Sequence, residues 1–126
     1  RIPLPPAGAA VRCHKLSKRF DQDISAVCTA CYLELDGDVV TRFRMACGGM
    51  AATVRRAANC EQAVVGATWN EATIQRASEA LATDFEPISD MRASREYRLR
   101  AAQNLLRRFY LECRGEHATS VYAYGR

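Results

Sequence analysis

Hydrophobic positions along the 126-residue chain change period part-way through. Between residues 24 and 35, Ile24, Ala26, Cys28, Ala30 and Tyr32 fall on one alternate set. Val27, Cys31, Leu33 and Leu35 fall on the other, broken only by Ser25 and Thr29. Period two with apolar residues in both sets predicts a strand covered on both sides for much of its length. Asp36-Gly37 supplies the backbone of a tight hairpin turn. The returning strand, residues 39–47, alternates cleanly: Val39, Thr41, Phe43, Met45 and Cys47 point one way, Val40, Arg42, Arg44 and Ala46 the other. Ahead of this hairpin, residues 11–16 read as a short strand or an extended arm, and residues 17–23 are too polar for anything but a loop.

After Gly48-Gly49 the period becomes helical. Thr53 is expected to cap a short helix that stops at Gly66. Asn70 caps a second, with Ile74, Ala77, Ser78, Leu81 and Phe85 at helical spacing before Pro87. Ser94, or Asp90, caps a third, whose stripe is Tyr97, Ala101, Ala102, Leu105, Leu106, Phe109, Tyr110 and Cys113. Its arginines, Arg98 among them, are placed mostly off that stripe, and Arg92 is expected to pair across a domain boundary. The pattern gives an α+β fold, a small antiparallel sheet built on a central hairpin and covered on one side by three helices.

Composition sharpens this picture only in places. With 48% hydrophobic residues the chain holds enough apolar material for one modest core. No stretch approaches the roughly 18 uninterrupted apolar residues of a membrane span. Three prolines in the opening RIPLPP read as an extended connector, so residues 1–12 are expected to link residues 13–115 to a preceding domain, with 116–126 as a tail. The net charge of +4 invites a nucleic-acid reading, but the 16 arginines are scattered and no basic stripe is interleaved with aromatics.

Candidate chemistry is thin. Cys28 and Cys31 form a CxxC, yet three residues along a strand puts them on opposite faces with Cα atoms on the order of 10 Å apart. A disulfide needs less than about 7 Å. A second CxxC is lacking and the histidines are His14 and His117, so a zinc site is not indicated. The six cysteines read as small buried hydrophobes of a reducing, cytoplasmic compartment. His14 adjoins Cys13 but their side chains diverge on a strand, and the carboxylates Asp21, Asp23, Asp84 and Glu86 read as solvated. The residues alone describe an α+β module with a charged loop of unassigned purpose, open to the alternative of a stand-alone interaction or dimerisation module.

Four segments in order carry a resemblance: KLSKRFDQDISAVC from Lys15, GGMAAT from Gly48, DFEPISDMRAS from Asp84 and YRLRAAQNLLRRFYLE from Tyr97. Together they resemble the C-terminal domain of the flavoprotein subunit of bacterial xanthine dehydrogenase, shared with carbon monoxide dehydrogenase and other molybdenum hydroxylases. The resemblance implies a non-catalytic module packed on an FAD-binding domain of the same subunit. It implies partner sites outside this chain: two [2Fe–2S] clusters, and a molybdenum cofactor in a large subunit. The implied enzyme oxidises hypoxanthine and xanthine to urate and passes electrons through FAD to NAD. By the same resemblance Lys15 approaches the flavin, and Arg19, Asp21 and Asp23 belong to a loop at the flavin and NAD approach. A fixed ammonium there favours negative charge on the coenzyme. The sequence departs from the family at His14, where an aromatic is usual, at Cys47, and at Val54-Arg55 in place of Pro-Lys.

Overall fold

The computed structural model describes residues 1–17 and 25–115. The loop residues Arg19, Asp21 and Asp23 and the tail 116–126 therefore lie outside the described residues. Strands β1 (Ala10–Leu16), β2 (Val27–Asp36), β3 (Val39–Gly48) and β4 (Arg55–Arg56) form one antiparallel sheet in sequence order. Helices α1 (Ala58–Val64), α2 (Glu71–Asp84) and α3 (Arg95–Cys113) follow it in the chain. This is the α+β architecture that the periodicity implies, with an additional two-residue strand. β1 begins at Ala10, inside the segment expected as a connector.

The β2–β3 hairpin turns at Gly37, whose φ of 59° lies in the left-handed region that glycine enters without a Cβ clash. Its register shifts between Glu34 and Leu35: Glu34 pairs with Arg42 but Leu35 pairs with Val40, leaving Thr41 as an extra residue on β3. That single insertion reverses the alternation expected at the start of β3. Val40 is buried with Phe43, Met45 and Cys47, while Val39 and Thr41 are exposed.

β2 departs from expectation more broadly. Val27, Thr29, Cys31 and Leu33 are buried, but on the other face Ala30 is exposed and Cys28 and Tyr32 are only half-buried. The helices cover one face only, and small Ala and Cys side chains on the other mimic a buried pattern without being buried.

The capping predictions divide. Asn70 Oδ1 accepts the Thr73 amide at 2.9 Å and Ser94 Oγ accepts that of Tyr97 at 3.1 Å, so α2 and α3 start where expected. Thr53 caps nothing; a turn and β4 intervene, and α1 starts after Ala57, which has no capping side chain. Its first-turn amides are served instead by Asp84 at the end of α2, whose two oxygens accept from Asn59 and Cys60 at 2.8 and 3.0 Å. A carboxylate at a helix start also complements the helix dipole.

The core lies between sheet and helices. Ile74, Ala77, Leu81 and Phe85 of the α2 side meet Phe43, Met45 and Cys47 of β3, together with Ala102, Leu106 and Phe109 of α3. Trp69 packs edge-on to Phe109 and Tyr110, with ring centroids 6.1 and 5.5 Å away. On α3 the expected stripe needs two changes: Tyr97 is exposed and Arg98 is buried.

Candidate functional site

Alternation along β1 separates its residues by function. Ala10 and Leu16 pack against the core and His14 is buried beneath α3, whereas Val11, Cys13 and Lys15 are exposed on the helix-free face. His14 Nε2 lies 3.0 Å from Glu112 Oε2, and Arg108 Nε donates to the same carboxylate at 3.1 Å. His14 thus points away from the Lys15 face, into the contact between sheet and helix.

Register turns the helix-free face into three rows, since directly opposed residues share a side. Lys15 stands beside Cys28 and then Gly48; Cys13 beside Ala30 and Ala46; Val11 beside Tyr32 and Arg44. The first two rows form a floor of small side chains next to an ammonium. The third is polar at its margin, where the Tyr32 hydroxyl donates to Glu34 and Arg42 sits 3.5 Å from the same carboxylate. Such a surface suits the edge of a flat ring system. Gly49, in the glycine pair, is crowded from within, since a Cβ there would stand 2.3 Å from the Ala26 carbonyl oxygen. The described residues fit FAD as a contributor to its rim, not as its holder.

At the end of the sheet nearest Lys15, Arg98 enters from the first turn of α3 and is 3% exposed. Nη1 donates to the carbonyls of Ala26 at 2.5 Å and Gly49 at 2.9 Å, and Nη2 donates to Asp90 Oδ1 at 2.8 Å. Asp90 also accepts the amides of Arg92 and Ala93. The Arg98 bond, followed by that from Arg92, holds the Asp90 carboxyl below its ordinary 3.8. Asp90 therefore pairs within the domain through Arg98, and Arg92 is left exposed. A cleft of about 430 Å³ lined by Ser25, Glu86, Asp90 and Arg92 opens there, and a second of about 420 Å³ is lined by Ser17, Ala26, Arg92 and Tyr97.

Sequence reasoning passed over Arg98, although 98, 102, 105 and 109 are at helical spacing and place it on the buried stripe. It also passed over Glu61, which is buried and accepts the Met45 amide at 3.0 Å and a two-pronged contact from Arg56. All six cysteines are free. Burial pushes the thiols of Cys31 and Cys60 far up, Cys47 to about 12 and Cys113 to about 11, which suits packing and not nucleophilic attack. Cys28 is half-buried on the open face while Cys31 is buried on the other. Among the described residues no group of three metal-ligating side chains occurs, and no helix is long and apolar enough to cross a membrane.

Residues 12–113 match the sequence profile of the CO dehydrogenase flavoprotein C-terminal domain. The chain belongs to that family. The chain is 33% identical over 98 residues to the xanthine dehydrogenase FAD-binding subunit of Escherichia coli O157:H7, covering 78% of this chain and 34% of the relative. It is 32% identical over 110 residues to an FAD-binding subunit of the xanthine dehydrogenase type from Escherichia coli (strain K12), covering 87% and 38%. In three dimensions it superposes on carbon monoxide dehydrogenase from Hydrogenophaga pseudoflava with a TM-score of 0.83 at 25% identity, over 93% of this chain and 40% of the other. Quinoline 2-oxidoreductase from Pseudomonas putida 86 gives 0.76 at 27% identity, over 91% and 40%. The domain spans between a third and two fifths of the length of these relatives.

Proposed function

We propose that this domain completes the flavin site of a xanthine dehydrogenase without holding the coenzyme itself. It packs on an FAD-binding domain of the same subunit, and the residues ahead of β1 connect the two. The whole enzyme is a cytoplasmic molybdenum hydroxylase that oxidises hypoxanthine and xanthine to urate with NAD as acceptor. Its molybdenum cofactor lies in a large partner subunit and its [2Fe–2S] clusters lie outside this chain. The supporting observation is the placement of Lys15, exposed on the helix-free face in one row with the small Cys28 and with Gly48, which has no side chain.

FAD, when bound, supplies two-electron exchange with NAD. The role of Lys15 is electrostatic: an ammonium fixed by a paired strand stabilises negative charge at the edge of the ring, at a distance-dependent worth of about 1–4 kcal/mol at contact. The Cys28, Ala30, Ala46 and Gly48 positions beside it present little bulk to a ring edge, and the exposed Ile88, Met91 and Tyr97 supply apolar surface for the neighbouring domain. Arg19, Asp21 and Asp23 supply charges of both signs that steer an anionic dinucleotide.

Lys15→Ala in the assembled enzyme is expected to slow NAD⁺ reduction about tenfold, with a smaller loss in purine oxidation read by an artificial acceptor at molybdenum. Equal losses in the two assays would remove the role. The isolated domain is expected to purify colourless, and a yellow preparation with stoichiometric flavin would overturn the division of labour.

A further inference from the structure

Ala26 is held from both of its backbone groups. Its amide donates to the Leu16 carbonyl at 2.8 Å, and its own carbonyl accepts Arg98 Nη1 at 2.5 Å. Leu16 is the last residue of β1 and follows Lys15 directly, so the end of the strand that carries the ammonium is tied through one peptide unit to the guanidinium. The second Nη1 bond reaches Gly49, next to the Gly48 that shares a row with Lys15 and Cys28. One planar fork thus fixes both flanks of the Lys15 row, and Asp90 fixes the fork.

Arg98 is 3% exposed and its Nε has no partner among the described residues. A buried donor left unpaired is costly, and the three bonds made by Nη1 and Nη2 offset that cost only while all three partners stay in place. What the guanidinium alone provides is direction: two acceptors and a carboxylate addressed from a rigid plane, which an ammonium cannot reproduce. The backbone has adapted to it. Gly49 adopts a φ of 80°, and a Cβ there would lie 2.3 Å from the same Ala26 carbonyl oxygen and 3.2 Å from Nη1.

We infer that Arg98 is a positioning residue for Lys15, acting through the backbone of Ala26 and Leu16. The inference rests on the flavin reading of Lys15 for its consequence in turnover, but not for its structural content. Three variants of the assembled enzyme test it: Arg98→Lys, Lys15→Ala and the double variant. In Arg98→Lys, exchange of the Ala26 amide is expected to accelerate about tenfold. The ratio of NAD⁺ reduction to artificial-acceptor turnover is expected to fall severalfold with flavin content retained.

In the double variant that ratio should equal the one for Lys15→Ala alone, because a residue acting only through Lys15 has nothing further to lose. Losses that multiply in the double variant, or an unchanged Ala26 amide in Arg98→Lys, would overturn the inference. If Lys15→Ala leaves the ratio unchanged, the flavin role of Lys15 falls and the Ala26 amide alone decides the positioning. Should Arg98→Lys fail to assemble, Asp90→Asn, which removes the charge facing Nη2 and keeps an amide oxygen able to accept the Arg92 and Ala93 amides, is read by the same two measurements against the same outcomes.

Discussion

Asp84 and Thr53 make opposite predictions from the same question of what starts α1. Because Asp84 serves the Asn59 and Cys60 amides, Asp84→Ala is expected to lower the unfolding free energy by about 1 kcal/mol, within the usual range for a lost cap. Thr53→Ala should stay within about 0.5 kcal/mol, since its side chain is exposed and caps no helix. Denaturant midpoints of the two variants separate these outcomes. Acid sensitivity belongs to the same scale. Asp90 has a depressed folded pKa, so its ionised form stabilises the fold above the unfolded value, and that contribution is lost as pH falls through the folded one. The stability gap between the parent and Asp90→Asn should therefore be flat near neutrality and close in acid; a gap that instead changes between pH 6 and 8 would contradict the assignment. Asn70 and Ser94 were legible as caps because their partners lie three residues on, within one turn. Asp84, Glu61 and Arg98 were not, because their backbone partners lie 25, 16 and 72 residues away.

At the scale of elements, the hairpin carries the clearest local information and also the clearest failure. Asp36-Gly37 marks the turn, and Gly37→Ala is expected to cost about 1–2 kcal/mol because an L side chain resists a φ of 59°. A thermal melt with unchanged parent-like circular dichroism would check it. The bulge at Thr41 has no composition signal of its own, so the start of β3 reads in the wrong phase until the register is seen. β4 was invisible for another reason: two exposed arginines bear no hydrophobic pattern, and their pairing with Cys47 and Ala46 follows from where the chain is led by the glycine pair.

For the molecule as a whole, the one-sided layering was readable because the strands precede the helices and each helix has a single apolar stripe. Which face of β2 stays open was not, because Cys28, Ala30 and Tyr32 look as apolar as Cys31 and Leu33. Thiol reactivity reports that asymmetry. In the isolated domain Cys13 on the open face should react readily with an alkylating agent at pH 8, while Cys31, Cys47 and Cys60 should react only as fast as the fold opens. Rapid labelling of all six would show that the core is not closed as described.

The sheet ends on one side in a strand of only two residues, both arginine, and on the other in β1, which bears Arg12 and Lys15. A second copy trying to extend either border would bring cation against cation along an abbreviated or charged ribbon. Concentrated solutions of the domain should accordingly resist fibril growth.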